Sequence, residues 1–240
     1  MNKYYINIVF LILFIPPMSN FSQSLTGMSG GLTIPTAEIL KDGEICMGIN
    51  LLPKVVLNDY GFSHTSITPY ISLGFLPFAE FSLRSTYPID GVEYAAVGDR
   101  MPSIRLKIRS DNNLWPAVAI GVHDFLTVFG GNKAIYFNSV YLVFSKKTYL
   151  IHPVSVLNAT IGYGSDFLKA GGHQFIGIFG GIEATISFAK NYFDMSLITE
   201  YDGKKFNAGS RIKLLNHVNI LFGLFDLKYA SGGLSFSFLM

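Results

Sequence analysis
The chain has 240 residues, 18 lysines and arginines against 16 acids, and a formal net charge of +2. A balance so close to neutral argues against a nucleic-acid-binding protein. Half of the residues are apolar, mean hydropathy is +0.38 and only 14% are charged, well below the roughly 25% of soluble domains.

Residues 1–24, MNKYYINIVFLILFIPPMSNFSQS, have the layout of a cleaved secretory signal. Lys3 supplies the positive start, Ile8–Ile15 is an unbroken apolar run, and Pro16 and Pro17 end it before small and polar residues. The run is too short to cross ~30 Å of hydrocarbon as a helix. No cysteine lies nearby, so a lipoprotein-type anchor is not supported, and Cys46, the only cysteine, can form no intramolecular disulfide. Residues 25–240 suffice for one large all-β domain. Gly, Asn, Asp and Ser break every later apolar run before the ~18 residues of a membrane helix. A chain too apolar for water yet lacking a helical span points to a membrane β-barrel. Its 21 Phe, 13 Tyr and 24 Gly suit that class, whose aromatics gather at the two interfaces.

Residues 25–43 read as an N-terminal segment ahead of the first strand, with packing in or against the barrel as one option and whether it plugs the pore left open by the sequence. Within it Gly30–Gly43 holds a glycine pair, Pro35 and Asp42-Gly43, a loop followed by a turn. Strands are predicted at Glu44–Leu52, Thr65–Phe75 and Glu80–Tyr87, separated by the polar loop Pro53–Ser63 and a short turn at Leu76–Phe78. In the third, Glu80, Ser82, Arg84 and Thr86 alternate with Phe81, Leu83, Ser85 and Tyr87, the period of two that gives a strand two unlike faces. After the long loop Pro88–Met101, Pro102–Phe125 carries the clearest pattern. Ile104, Leu106 and Ile108 alternate with Arg105, Lys107 and Arg109, and Ser-Asp-Asn-Asn turns the chain into Val118, Ile120 and Val122. This hairpin has three cations in register on one face, which a sandwich would turn to water and a barrel to a polar lumen.

Further strands are predicted at Ala134–Phe144, which is apolar on both faces, then Val154–Gly164, Gln174–Phe188 and Tyr192–Tyr201. Ser145–Pro153 reads as a basic turn and Ser165–His173 as a loop. Asp202-Gly203, a two-residue hairpin signal, precedes Lys205–Leu214, and Val218–Tyr229 and Gly232–Met240 follow. The total is twelve antiparallel strands of ~9–11 residues, an even number, as in a transmembrane up-and-down β-barrel. The alternation of Leu234, Phe236, Phe238 and Met240 is similar to the carboxy-terminal insertion signal of outer-membrane barrels, with Met240 where an aromatic is usual.

No catalytic constellation stands out. His64, His123, His152, His173 and His217 are scattered without metal-ligand spacing, and no GxSxG elbow occurs. His123 and Asp124 are adjacent, and neighbours on a strand face opposite sides. Gly130-Gly131 and Gly171-Gly172 read as turns. The expectation is a protein that is not an enzyme and uses no cofactor or metal. Polar residues on the lumen faces carry the functional reading instead. Cations are placed there at Arg84, Arg105, Lys107, Arg109, Arg211 and Lys213, and acids at Glu80, Glu183, Asp194 and Glu200. They either fill a narrow barrel with neutralising salt bridges or form a polar surface along which a sugar chain or ion passes. A ladder of Arg105, Lys107 and Arg109 would suit an acidic polymer, because such cations pair well with carboxylates.

Four segments in order, GLTIPTAEILKDG at 31–43, DRMPSIRLKIR at 99–109, PAVAIGVHDF at 116–125 and YLVFSKK at 141–147, resemble the YjbH-like outer-membrane proteins tied to exopolysaccharide production. The likeness covers about 31–164, and later only EYDGKKFNAG at 200–209 agrees. Members of that family are often much longer and can carry a lipoprotein cysteine, so this chain resembles a compact single-barrel member. The resemblance implies export or assembly of a capsule or biofilm polysaccharide, acidic or neutral, at the outer membrane of a Gram-negative bacterium. It implies outer-membrane lipid and other proteins of a polysaccharide export system as partners, and no catalytic residues. Pro35, Thr36, Asp99, Arg100, Asp124, Ser145 and Lys146 match motif positions, where they serve either turn and hairpin geometry or polymer contact. The rival readings are a small general channel or solute transporter, a surface-binding protein using its loops, and a barrel enzyme acting on lipid or glycan.

Overall fold
A computed structural model describes residues 23–55, 64–90, 99–125, 138–150, 153–165, 175–189 and 192–240. Twelve strands follow in chain order: β1 (Glu44–Leu52), β2 (Ser66–Phe75), β3 (Ala79–Pro88), β4 (Asp99–Arg109), β5 (Ala117–His123), β6 (Ser139–Tyr149), β7 (Val156–Ser165), β8 (Gly177–Ala189), β9 (Phe193–Tyr201), β10 (Phe206–Leu214), β11 (Val218–Phe225) and β12 (Tyr229–Leu239). Each pairs antiparallel with its chain neighbours, and β1 meets β12 from Glu44 opposite Leu239 to Leu51 opposite Gly232. The result is a closed all-β, up-and-down barrel of twelve strands, without a free sheet edge. Residues 1–22 of the predicted signal, most of the three long loops, His152, His173 and positions 134–137 lie outside the described residues.

Alternation along each strand decides which side chains go in. Met47, Ile49, Ile71, Leu83, Ile104, Ile120, Ile161 and Phe222 point outward and are exposed, whereas Asn50, Thr68, Ser72, Glu80, Arg84 and Arg211 are buried inside. An apolar exterior around a polar interior inverts the arrangement of a soluble protein. The two ends also differ. At one, five connections are short (76–78, 110–116, 150–155, 190–192 and 215–217). The other carries the longer ones, 53–65, 89–98, 124–138 and 166–176, beside two tight loops.

Several boundaries differ from the sequence reading. β6 continues to Tyr149, so Ser145, Lys146 and Lys147 lie in a strand rather than a turn, because the ladder with β7 runs on from Ser145–Thr160 to Tyr149–Val156. β11 stops at Phe225, where Asp226 and Leu227 take positive φ (51° and 54°) and turn the chain into β12. The Asp202-Gly203 hairpin is a four-residue loop. Asp202 Oδ1 accepts hydrogen bonds from the backbone N–H groups of Lys204 and Lys205, at 3.0 and 2.9 Å.

The barrel is filled by its own N-terminal segment. Leu25, Met28, Leu32, Ile34, Ala37, Ile39 and Leu40 are at most 2% exposed. Gln23 and Ser24, assigned by sequence to the signal, belong to this plug and are buried in the lumen. The apolar inner face of β6 is explained by the same packing, since Tyr141 and Val143 join the core that holds Leu25, Leu32 and Ile34.

Candidate functional site in the plugged lumen
Residues 23–40 form no strand of the barrel, so their peptide groups need other partners. Isolated bridges Gln23–Ser29 and Gly30–Pro35 fold the segment on itself, and the wall supplies most of the rest. Two buried carboxylates are the main acceptors. Glu80 receives the Ser29 N–H and hydroxyl, both at 2.8 Å, and the Leu40 N–H at 3.1 Å. Glu200 receives the N–H groups of Leu32 and Thr33 at 2.8 and 2.7 Å, the Thr33 hydroxyl, and more distantly the Ile34 N–H.

Three arginines act on the plug's carbonyls. Arg105 donates to Ser29 O at 2.7 Å and Thr36 O at 2.5 Å, and pairs with Glu80 at 2.8 Å. Arg211 donates to Gly30 O and Gly31 O at 2.9 and 2.7 Å and pairs with Glu183. Arg84 donates to Thr26 O at 3.2 Å. All three side chains are at most 2% exposed. Burying such cations is costly unless carboxylates and carbonyls surround them, which the plug and the facing acids provide. Shorter side chains complete the seat. Asn50 donates to Leu25 O, Ser72 and Ser82 to Gly27 O, and Ser145 Oγ accepts the Ala37 N–H at 2.9 Å. Leu32 rests over Gly223, where a Cβ would meet its methyl groups at 2.5 and 2.8 Å. The missing side chain on β11 is the socket for this leucine.

The predicted lumen residues therefore separate by role. Arg84, Arg105, Glu200 and Arg211 hold the plug. Glu183, Asp194 and Lys213 lie on the inner wall farther towards the short-turn end, with Asp194 directly opposite Lys213 across β9 and β10. Lys107 keeps the inward row opposite Ala119 but is half-exposed at the rim. Arg109 departs from the expected ladder. A bulge between Lys107 and Arg109 sets Arg109 opposite Val118 on the outward face, where its guanidinium lies 5.1 Å from the Trp115 ring centroid. No row of three cations lines the lumen.

Three of the seven motif positions, Pro35, Thr36 and Ser145, lie in or against the plug. Pro35 and Thr36 are part of it, and the Thr36 carbonyl is held by Arg105 from the second motif. Ser145 from the fourth motif holds Ala37, and beside it Lys147 pairs with Glu38 at 3.2 Å. Lys146 instead binds Asp111 at 2.8 Å in the β4–β5 connection. Asp99 opens β4 opposite Thr86, and Arg100 is exposed opposite Ser85. Asp124 is buried like His123, contrary to the opposite-face expectation, because β5 ends at His123 and Asp124 turns with φ of 52°. The His123 ring nitrogens nevertheless have no hydrogen-bond partner, and the ring stacks on Tyr141 at 5.0 Å, so the two do not form an acid–base pair.

The anchoring roles of Glu80 and Glu200 were missed by sequence reasoning, which saw them only as lumen acids. A signal exists in their surroundings. Ser82 sits two positions from Glu80, and Gly181 faces Glu200 across the ladder, leaving room for the Ile34 side chain of the plug. Among the described residues, no three His, Cys, Asp or Glu side chains converge as metal ligands.

Fold and site define a closed twelve-stranded barrel with an apolar exterior and a lumen occupied by its own N-terminal segment. The family model for YjbH, described as exopolysaccharide biosynthesis protein YbjH, matches residues 22–175, and the chain belongs to that family. The match spans the plug and β1–β7, and with them the wall residues Glu80, Arg84, Arg105 and Ser145. No curated protein matches the chain.

Proposed function
We propose that this protein is an outer-membrane barrel that takes part in exporting or assembling an exopolysaccharide, with the plug closing the lumen at rest. The observation that carries this reading is the exopolysaccharide family match over plug and docking wall, in a barrel whose outward side chains are apolar. Short turns at one end and longer connections at the other fit a periplasmic and an external side. The protein acts as a conduit or scaffold rather than an enzyme, together with other proteins of a polysaccharide export system and the surrounding lipid. A general solute channel fits less well, because the lumen is filled by a segment tied to the wall on several sides.

Deleting the gene in its native bacterium and measuring cell-surface polysaccharide tests the role, and membrane fractionation of the wild-type protein tests the location. The expected result is reduced surface polysaccharide, restored by the wild-type gene, and recovery of the protein in the outer-membrane fraction. Unchanged polysaccharide would remove the role, and recovery in a soluble fraction would remove the membrane assignment.

A further inference from the structure
The plug leaves part of the lumen open. Between it and β6–β10 lies a recess of about 110 Å³. Tyr149 at the end of β6, Val156 at the start of β7, and Asp194 and Lys213 near the ends of β9 and β10 set it at the short-turn end. Tyr149, 79% exposed, stands at the rim.

The charges in this lining come in opposite pairs. Glu38 lies 3.2 Å from Lys147, Glu183 pairs with Arg211, and Asp194 faces and attracts Lys213. The recess thus offers no excess of positive charge to a polyanion. It does offer unused hydrogen-bonding capacity. Asp194 is 9% exposed, and its Oδ1 is buried without a hydrogen-bond partner, as is Oδ1 of Asn158 on β7, two strands away in the same recess. Both are acceptors, and a buried acceptor left unmatched is unfavourable. Sugar hydroxyls are donors of the right kind, and Tyr149 supplies a ring face beside them.

We propose that this recess is a binding subsite for a segment of neutral, hydroxyl-rich glycan, with Asp194 and Asn158 accepting hydrogen bonds from its hydroxyl groups. The proposal rests on the exopolysaccharide reading above and narrows its ligand from an acidic or neutral polymer to a neutral one. Arg105 is consumed by the plug and Arg109 lies outside, so the cationic ladder that would have favoured an acidic chain is absent.

The test uses the full mature chain folded in detergent, titrated calorimetrically with maltohexaose, cellohexaose and mannohexaose, and with hexagalacturonate as the acidic counterpart. At least one neutral hexasaccharide should bind more tightly than hexagalacturonate. Asp194→Asn and Asn158→Ala should each weaken that binding about tenfold. If Asp194→Asn does not fold, Asn158→Ala and the rim variant Tyr149→Ala carry the comparison. Preference for hexagalacturonate, no binding of any neutral hexasaccharide, or neutral binding unchanged in the folded variants would each overturn the proposal. Lost surface polysaccharide in the deletion strain without neutral-sugar binding would sink this inference alone. Binding with normal surface polysaccharide would sink the export role alone.

Discussion

Glu80→Ala should release the plug, and the chain carries its own reporter for that event. Glu80 accepts three hydrogen bonds from the plug and neutralises Arg105, which is 0% exposed. Removing one partner of a buried ion pair costs about 3–5 kcal/mol, and each backbone N–H left without an acceptor adds about 1–3 kcal/mol when water cannot reach it. Water entering the loosened lumen recovers part of this, so about 4 kcal/mol is a fair figure for the loss in seating free energy. At 1.4 kcal/mol per factor of ten, the displaced state gains about 10³-fold in population. Cys46, the only cysteine, points inward and is 0% exposed, packed with Leu40 and Tyr70 beneath the plug. Its maleimide labelling rate in folded, heat-modifiable protein should rise by about that factor. Glu80→Gln, which loses the charge but keeps an acceptor oxygen for the plug and leaves Arg105 on Ser29 O and Thr36 O, should give a smaller increase than Glu80→Ala. A folded Glu80→Ala barrel with wild-type labelling would show that Glu80 does not hold the plug.

Leu32→Ala empties the socket over Gly223 and should lower the urea stability of the compact form by about 2–4 kcal/mol, read from the shift in unheated gel mobility. Ile120→Arg places a charge midway along the outward face of β5 and should impair bilayer insertion by about 2–4 kcal/mol, whereas a soluble barrel would tolerate it. Asp90, in the β3–β4 connection, is held below the ordinary carboxylate value of 3.8, chiefly by the Thr65 backbone N–H and also by its hydroxyl and His64. Its tie is complete above 3.8 and is lost as pH falls through the lower folded value. A carbon-13 titration placing the Asp90 carboxyl at or above 3.8 would contradict this. Gln23 and Ser24 are seated in the lumen, so if the proposed signal is cleaved the remaining chain should start at or before Gln23, which intact-mass measurement of the protein from its native membrane decides.

The sequence by itself was enough for the barrel. A period of two is local, and each strand needs only its own alternation to declare an apolar and a polar face, as in β3 from Glu80 to Thr86 and β10 from Asn207 to Lys213. Twelve such segments in succession leave few arrangements other than a meander that closes on itself. Boundaries slipped where a ladder partner prolonged a strand, as at Ser145–Tyr149, and the outward turn of Arg109 depended on a bulge that alternation does not announce. The plug was decided only in three dimensions. Its peptide groups find their acceptors 51 residues away in Glu80 and 167 residues away in Glu200, and a segment held through its backbone shows no periodicity of its own. Cations that looked available to a polymer were already engaged with plug carbonyls, and that follows from where one loop comes to rest inside the closed barrel.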